Sequence, residues 1–203
     1  MARRTNEQAQ QTREKILKGA LDVFSDKGFS RSTLSDIAKR IGMTRGAVYW
    51  HFKDKGELLV ELMEQMHDWE AELLAEKVPT QDSLEDLQER FQVRAELLDT
   101  DMRFRKFVRF MSMQVEWATE KQIFNLLRDG HMRNAPFKDF DLVLHKEQQR
   151  GRIRPDVDVD EICDIMVGMF TGMVRLYLSG MAQRPLKVSL KSAVQAVFDS
   201  IRA

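Results

Sequence analysis

The stretch from Thr44 to Phe52 combines a guanidinium, three aromatic rings, an imidazole and a glycine within nine residues. Arg45 can donate two hydrogen bonds to a guanine edge, and Gly46 allows the backbone to approach a base closely. Tyr49 and His51 can donate to phosphate oxygens, which position a protein on a duplex. Residues of these types are typical of a short helix that lies in the major groove of DNA.

Two short helices separated by a glycine are predicted to hold these side chains. Thr33 can cap the first helix, with Asp36 closing a capping box in which Asp replaces the usual Glu or Gln. Gly42 suits the left-handed conformation that ends a helix, and Thr44 can cap the second helix. The apolar residues recur at helical spacing, as in Leu34, Ile37, Ala38 and Ile41, and then Ala47, Val48 and Phe52. The pattern indicates a helix-turn-helix.

Helices are also predicted on both sides of this motif. The first runs from about Thr12 to Lys27, after a polar segment over residues 1–11 that is expected to be a flexible tail. The alternative for this tail is an arm that reaches a minor groove. The fourth helix covers about residues 54–76, with Asp54 as its cap and Lys55 at its N-terminus, where a phosphate is favoured. Its length predicts a rigid link to the rest of the chain.

The residues from about Thr12 to Leu62 resemble the DNA-binding domain of the TetR family of bacterial transcriptional regulators. Within them, Thr44-Arg-Gly-Ala-Val-Tyr-Trp-His-Phe-Lys-Asp-Lys55 is similar to the AcrR-like repressors of multidrug efflux. The resemblance implies a three-helix DNA-binding domain over residues 1–56 and an effector-binding and dimerisation domain over residues 57–203. The DNA contacts that it implies are Thr33, Thr44, Arg45, Gly46, Tyr49, Trp50, His51 and Lys55. For Trp50, packing between helices three and four is an equal alternative.

Charge is unequally distributed along the chain, although the formal net charge is zero. Residues 1–56 contain 12 Lys and Arg against 6 Asp and Glu, whereas the remainder contains 20 basic and 26 acidic residues. A basic N-terminal part joined to an acidic body is typical of a DNA-binding module attached to a domain with another task. With four prolines, ten glycines and no alternating strand pattern, the chain is predicted to be all-α.

Twelve methionines and twelve phenylalanines, most of them beyond residue 56, favour a cavity that accepts several ligand shapes. The family resemblance implies such a cavity between helices four and eight. The candidate effector-binding residues are Met66, Phe104, Phe107, Met111, Trp117, Phe137, Phe140, Met169, Phe170 and Met173. Gln114 and Glu116 could orient a cationic or hydrogen-bonding ligand. For each of these residues, ordinary core packing is the alternative.

The last two helices are predicted to form a homodimer interface. Gly168 and Gly172 lie four residues apart on one face of helix eight and allow another helix to approach closely. The last helix has a regular apolar stripe of Leu190, Val194, Val197 and Ile201. The corresponding helices form a four-helix dimer interface in the TetR family, and the resemblance extends that arrangement to this chain.

We predict no enzyme activity, no cofactor and no metal. The histidines lack Cys or carboxylate partners at metal-ligand spacing; they are His51, His67, His131 and His145. Cys163 is expected to be a buried, inert thiol, with a redox sensor as the alternative. No signal peptide opens the chain, and its longest apolar run, residues 165–174, is too short to cross a bilayer. A cytoplasmic protein is therefore expected, without a membrane partner.

Taken with the resemblance, these patterns predict a repressor that binds double-stranded, palindromic operator DNA as a dimer and controls a multidrug efflux operon. Its effector is expected to be small and hydrophobic, and in some cases cationic. The main alternative is a repressor or dual regulator of a metabolic operon with a narrow metabolite effector. Another alternative is a ligand-independent architectural DNA-binding protein, which would have no cavity and little sequence preference.

Overall fold

The computed structural model describes residues 2–80, 82–115 and 138–203, and it confirms an all-α fold for this part of the chain. An isolated bridge between Ile153 and Arg202 is the β pairing found among these residues. None of the described helices is long and apolar enough to cross a membrane. The helices are α1 (Ala2–Lys27), α2 (Leu34–Arg40), α3 (Arg45–His51), α4 (Lys55–Lys77), α5 (Leu84–Thr100), α6 (Met102–Met113), α7 (Lys138–Gln149), α8 (Val159–Leu178) and α9 (Leu186–Ile201).

Helix α1 begins at Ala2, so residues 2–11, which were predicted to form a tail, continue the first helix. This segment contains no glycine or proline after Ala2, and Glu7, Gln8 and Gln10 are good helix formers. The segment lacks an apolar stripe, which is why its pattern suggested a tail. Helical continuity with the buried part of α1 extends the helix without such a stripe.

The described residues divide into two compact units. The first unit contains residues 2–66 and 106–115, and the second contains residues 67–105 and 138–203. Helices α4 and α6 each have residues in both units.

The core of the first unit is built on the buried stripe of α1. Gly19 lies where α1 meets the end of α2, and a Cβ atom at this position would be 2.2 Å from Ile41 Cγ2. Phe24 stacks on Phe110 with ring centroids 5.5 Å apart and meets the edge of Phe29 at 5.2 Å. These contacts fix α1 against α2, the turn after α1, and the part of α6 that belongs to this unit.

The core of the second unit joins α5, α7, α8 and α9. Phe91 lies at its centre, 4.8 Å from the Phe140 ring and 5.5 Å from the Phe170 ring. The predicted stripe of α9 lies largely in this core, because Leu190, Val194 and Ile201 are buried. Helix α9 therefore uses its apolar stripe within its own subunit.

Candidate nucleic-acid interface and effector-binding residues

The predicted helix caps of the helix-turn-helix are confirmed. The Thr33 amide donates to Asp36 Oδ2 at 3.0 Å, and the Asp36 amide donates to Thr33 Oγ1 at 3.1 Å. Gly42 has φ +68°, a conformation that side-chain-bearing residues rarely adopt. Thr44 Oγ1 accepts from the Ala47 amide at 3.2 Å and starts α3. Residues within a few positions of one another thus define where α2 ends and α3 begins.

One face of α3 is buried and the other is open to solvent. Val48 is fully buried, whereas Arg45, Gly46, Tyr49 and Trp50 are exposed. Trp50 is 75% exposed, so the alternative in which it packs between α3 and α4 is wrong. A Cβ atom at Gly46 would have nothing within 4 Å, and the fold therefore does not require glycine there. The open face thus presents the Arg45 guanidinium, the Tyr49 and Trp50 rings and the bare backbone of Gly46.

Arg45 and Tyr49 contact each other along this exposed face. The Arg45 Nη2 atom donates to the Tyr49 hydroxyl at 3.3 Å, and the guanidinium carbon lies 5.0 Å from the ring centroid. An i, i+4 pair of this kind restricts both side chains on the helix surface. Both groups therefore point outward together before any ligand is bound.

Arg13 is a supporting residue that the sequence analysis missed. Its guanidinium forms a two-pronged ion pair with Glu61 on α4 and donates to the His51 carbonyl at 2.9 Å. It also lies 4.3 Å from the centroid of the Phe52 ring. One side chain of α1 thus joins the last turn of α3 to α4. Sequence patterns contained no sign of it, because the three partners are between 38 and 48 residues away.

The His51 side chain is half-buried beside the edge of the Trp50 ring, 4.6 Å between centroids. Burial and then the charge of Arg13 lower the pKa of His51, although Glu61 acts in the opposite direction. The ring is therefore neutral at pH 7. It can donate one hydrogen bond to a phosphate, but it does not bring a full charge.

Lys55 has a different environment from the one predicted. Its ammonium donates to the carbonyls of Phe29 and Ser30, at 2.9 and 3.0 Å, and lies 4.5 Å from the Phe29 ring centroid. These carbonyls belong to the turn after α1.

The predicted cap of α4 is present. Asp54 caps α4 by accepting from the Glu57 amide at 2.9 Å, while the Glu57 carboxylate accepts from the Lys53 amide at 2.7 Å.

The effector candidates are divided between the two units. Met66, Phe107, Met111 and Gln114 belong to the first unit, and Phe104, Phe140, Met169, Phe170 and Met173 belong to the second. Phe140 is fully buried, and Met169 and Phe170 pack against the same core, as the packing alternative predicts. Three further candidates, Glu116, Trp117 and Phe137, lie outside the described residues.

One effector candidate, Gln114, has a side-chain oxygen that can still accept a hydrogen bond. Its Nε2 atom donates to the Ser25 carbonyl at 3.0 Å. Its Oε1 atom is buried and, like Ser25 Oγ, accepts no hydrogen bond from the described part of the chain. A buried amide oxygen of this kind can accept a hydrogen bond from a ligand.

A buried ion group in the second unit was also missed. The Arg94 Nε atom donates to Glu70 at 2.7 Å, and His67 Nδ1 lies 3.8 Å from the same carboxylate. Burial would raise the pKa of Glu70, but Arg94 and His67 together lower it to about 2. The carboxylate is thus fully charged in the interior. Its partners come from α4 and α5, and no motif marks such a pair.

Two groups bear on the predictions about metals and redox chemistry. Asp141, His145 and Asp160 have ligand atoms within 4.8 Å of one another, so the prediction that His145 lacks a carboxylate partner is wrong: Asp141 lies four residues before it on α7, and only Asp160 comes from another helix. All three are exposed, and His145 Nδ1 already pairs with Asp141 at 2.8 Å.

Burial, followed by neighbouring carboxylates, raises the pKa of Cys163 to about 11. The thiolate that a redox sensor needs is therefore strongly disfavoured.

Comparison with known proteins places these features in context. The family model of bacterial regulatory proteins, tetR family, matches residues 16–62. The HTH-type transcriptional regulator TtgR of Pseudomonas putida is 31% identical over 182 residues, which are 88% of this chain and 85% of TtgR. AcrR of Shigella flexneri is 55% identical over 64 residues, 32% of this chain and 30% of AcrR.

A solved structure extends the similarity over almost the whole chain. The complex of SmeT with triclosan has a TM-score of 0.72 and 27% identity, and it covers 95% of this chain and 92% of SmeT. SmeT is the repressor of the Stenotrophomonas maltophilia multidrug efflux pump SmeDEF. These relatives are regulators and not enzymes, which confirms the prediction that this chain is not an enzyme.

Proposed function

Because this chain belongs to the TetR family of bacterial transcriptional regulators, we propose that it represses transcription from a palindromic operator that it binds as a homodimer. We further propose that a small hydrophobic effector releases it and that its target is a multidrug efflux operon. The observation that carries the DNA-binding part is the open face of α3. Arg45, Gly46 and Tyr49 are exposed on a capped helix, and among the described residues the side chains of Arg45 and Tyr49 contact each other.

The residues of this face have different roles in the proposed complex. Arg45 lies against base edges, and Gly46 lets the backbone of α3 approach the groove. Tyr49 and the neutral His51 ring donate to phosphates, and Thr33 and Thr44 add contacts from the helix ends. Trp50, which is largely exposed, lies at the DNA surface beside His51.

Arg13 and Lys55 support the proposed interface from behind. Arg13 holds the end of α3 against α4. A shift of α4 would therefore move α3, the helix proposed to enter the groove. Lys55 fixes the turn after α1 through two carbonyl contacts. To reach a phosphate it would have to give up both hydrogen bonds, and we therefore assign it a structural role.

The outward faces of α8 and α9 support the proposed dimer. Ile165, Leu176 and Val188 are large apolar residues that are about half exposed. Gly168 and Gly172 lie on the same exposed side of α8 with nothing within 4 Å of their Cβ positions. An apolar face on which two glycines leave no projecting side chain favours close packing against a second copy. Dimerisation would present two α3 helices to half-sites one or more DNA turns apart.

Effector release is proposed as a coupling between two binding events. A ligand among the effector candidates, with Gln114 Oε1 as one acceptor, would favour a position of α4 that separates the two α3 helices. A coupling of the usual size, roughly 1–3 kcal/mol, lowers DNA affinity about 5- to 150-fold. The similarity to SmeT, whose structure contains triclosan, supports a hydrophobic effector.

The proposal can be tested by fluorescence anisotropy on DNA from upstream of this protein's own gene, with scrambled DNA of equal length as the control. We expect tight, sequence-specific binding that triclosan or a lipophilic cation weakens. Specific binding that responds only to a metabolite, such as an aromatic acid, would favour the metabolic alternative. Equal binding to both DNAs would contradict operator recognition and leave a non-specific DNA-binding protein.

A further inference from the structure

Helix α8 has one face that its own subunit leaves uncovered, and we call it the outer face of α8. Its members are all exposed and span about a third of the helix circumference at 3.6 residues per turn. They are Asp164, Ile165, Gly168, Gly172, Arg175 and Leu176. A Cβ atom at either glycine would have nothing within 4 Å, so the fold of the subunit does not require glycine at these positions.

The outer face of α8 is self-complementary in sequence. Each member has a suitable counterpart at about the same distance from residue 170 on the other side. The pairs are Gly168 with Gly172, Ile165 with Leu176, and Asp164 with Arg175. The first pair is small, the second is apolar and the third carries opposite charges. Asp164 and Arg175 are three turns apart, which is roughly 16 Å along the helix axis.

Such a pattern matches the contacts of a two-fold symmetric interface. In that symmetry, a contact of residue i with residue j is repeated as a contact of j with i. If two α8 helices cross antiparallel near residue 170, the glycines meet at the crossing point. The absence of Cβ atoms there lets the helix axes approach closely. Asp164 of each subunit then lies opposite Arg175 of the partner subunit, whereas a parallel arrangement would bring like charges together.

Charge along this part of the chain is polarised in the same direction. Residues 156–164 contain five Asp and Glu and no Lys or Arg, and residues 165–198 contain four Lys and Arg and no Asp or Glu. Lys187 pairs with Glu96 of its own subunit at 3.1 Å. Asp164 and Arg175 are exposed and form no ion pair with another described residue. Their charges are therefore available to a second copy of the chain.

We propose that the outer face of α8 sets the geometry of the homodimer and selects its partner. Two α8 helices cross antiparallel at Gly168 and Gly172, and Asp164 of each subunit pairs with Arg175 of the partner subunit. A related regulator with other charges at these positions is excluded from mixed dimers, because like charges would face each other. The inference rests on the homodimer proposed above and adds its helix orientation and its partner specificity.

The first test compares the dimer dissociation constants of charge variants by analytical ultracentrifugation. Arg175→Glu and Asp164→Arg should each weaken the dimer about 100-fold, because each places like charges opposite one another at both ends of the crossing. The double variant that carries both substitutions should return to within about tenfold of the wild-type value. Recovery in the double variant would show that the single variants are impaired at the interface and not in folding.

Mixing the wild-type chain with the double variant tests the antiparallel orientation. Native mass spectrometry of an equal mixture should show mixed dimers well below the statistical half of the population, because both charge contacts would be repulsive in an antiparallel pair. In a parallel pair, both contacts of the mixed dimer would be attractive. Mixed dimers at half of the population or above would therefore overturn the proposal.

Asp160→Arg is the matched control for Asp164→Arg. Asp160 is also an exposed carboxylate of α8, but it lies beside Asp141 and His145 of α7 and not on the outer face of α8. This variant should leave the dimer dissociation constant within about threefold. Equal losses in the two variants would overturn the proposal, as would a wild-type dimer that neither single variant weakens. A wild-type chain that stays monomeric would contradict the homodimer itself, and the inference with it.

Discussion

Most residues proposed to contact DNA lie within α3 and its caps, whereas the proposed effector-binding residues extend from Met66 to Met173 and over both units. Sequence identity to known proteins also varies with the length of chain that is matched. Identity reaches 55% with AcrR over 64 residues, but it is 31% with TtgR over 182 residues. The proposed DNA-contacting surface is built from residues that are neighbours in sequence, and the proposed effector-binding part is built from residues far apart in sequence.

The two regions also use charge differently. On α3, the Arg45 guanidinium is exposed and contacts a neighbour four residues away. In the second unit, Glu70 and Arg94 are buried and joined across two helices. An exposed cation on a helix can contact a ligand, whereas the two members of a buried ion pair contact each other. The comparison predicts that charge changes in the first region affect binding, and in the second region affect stability.

The largest expected effect is on the buried pair. Glu70→Gln leaves Arg94 in the interior without its carboxylate, and it should lower the free energy of unfolding by about 3–5 kcal/mol. Urea denaturation followed by circular dichroism measures the change. Lys187→Met is the matched control, because it breaks an exposed pair with Glu96 and should cost less than about 1 kcal/mol. Similar losses in both variants would remove the distinction between the regions.

Acid titration of the same variants adds an independent readout. The pKa of Glu70 is lowered from about 4.5 to about 2 on folding, so its contribution to stability is complete above pH 4.5. That contribution is lost as the pH falls from 4.5 towards 2. The Glu70→Gln protein should lack this part of the pH dependence. An unchanged acid slope would show that Glu70 is not the titrating group.

The next largest effect concerns DNA specificity. Arg45→Ala should cost about 1–3 kcal/mol at one or two base pairs of the operator and relax the preference there. Tyr49→Phe should weaken binding to all sequences alike, because it removes a phosphate contact. Anisotropy with single-base operator variants distinguishes the two patterns, and Lys18→Ala, an exposed cation on α1, is the control. If Arg45→Ala weakened every sequence equally, Arg45 would be a phosphate contact.

Substitutions at two glycines of the first unit distinguish an effect on stability from an effect on DNA affinity. Gly19→Ala places a Cβ atom against Ile41 and should lower stability by about 1–3 kcal/mol. Gly46→Ala meets no neighbour and should raise stability by about 0.5–1 kcal/mol through helix propensity, yet weaken DNA binding. Thermal unfolding and anisotropy on the same samples test both. Unchanged DNA affinity of Gly46→Ala would contradict close approach of α3 to the groove.

A smaller effect is expected from pH. Because the pKa of His51 is lowered in the free protein, phosphate contact should raise it in the complex and cause proton uptake on binding. Operator affinity should then increase as the pH falls towards 6, by at most about tenfold per pH unit for one proton. His51→Asn should abolish this increase, and His145→Asn should retain it. A pH dependence that survives His51→Asn would assign the proton to another group.

The smallest effect is expected at Cys163. With a pKa of about 11, about 0.03% of the thiol is ionised at pH 7.5, so it should react slowly with peroxide and iodoacetamide. Cys163→Ser should therefore leave operator affinity, and its response to peroxide, unchanged within about twofold. Mass spectrometry measures the modification rate. Rapid oxidation accompanied by release from DNA would restore the redox-sensor alternative.

Much of the first unit could be predicted because its determinants are local. Capping by Thr33 and Thr44 and the left-handed Gly42 depend on residues within a few positions of each other. The environment of Lys55 could not be predicted, because its carbonyl partners come from the turn after α1. Trp50 could not be placed either, since helical spacing alone does not show which neighbouring helix covers a given face.

Prediction was weaker in the second unit, where partners meet through packing. The stripe of α9 could be read from its spacing, but its use in the subunit's own core could not. Phe140 and Phe170 are as suitable for a cavity as for a core, and only their contacts with Phe91 distinguish these outcomes. The ion group of Glu70 and Arg94 also has no sequence signature.

The sequence by itself determined the all-α class, the capped helix-turn-helix, the residues on its outer face and the family, because these depend on short-range spacing and residue type. Tertiary structure decided that Trp50 is exposed, that Arg13 joins α3 to α4, that Lys55 is bound to backbone carbonyls, and that Glu70 is charged in the interior. Each of these depends on which distant groups share a site, because burial and electrostatic interactions fall off with distance in space and not along the chain.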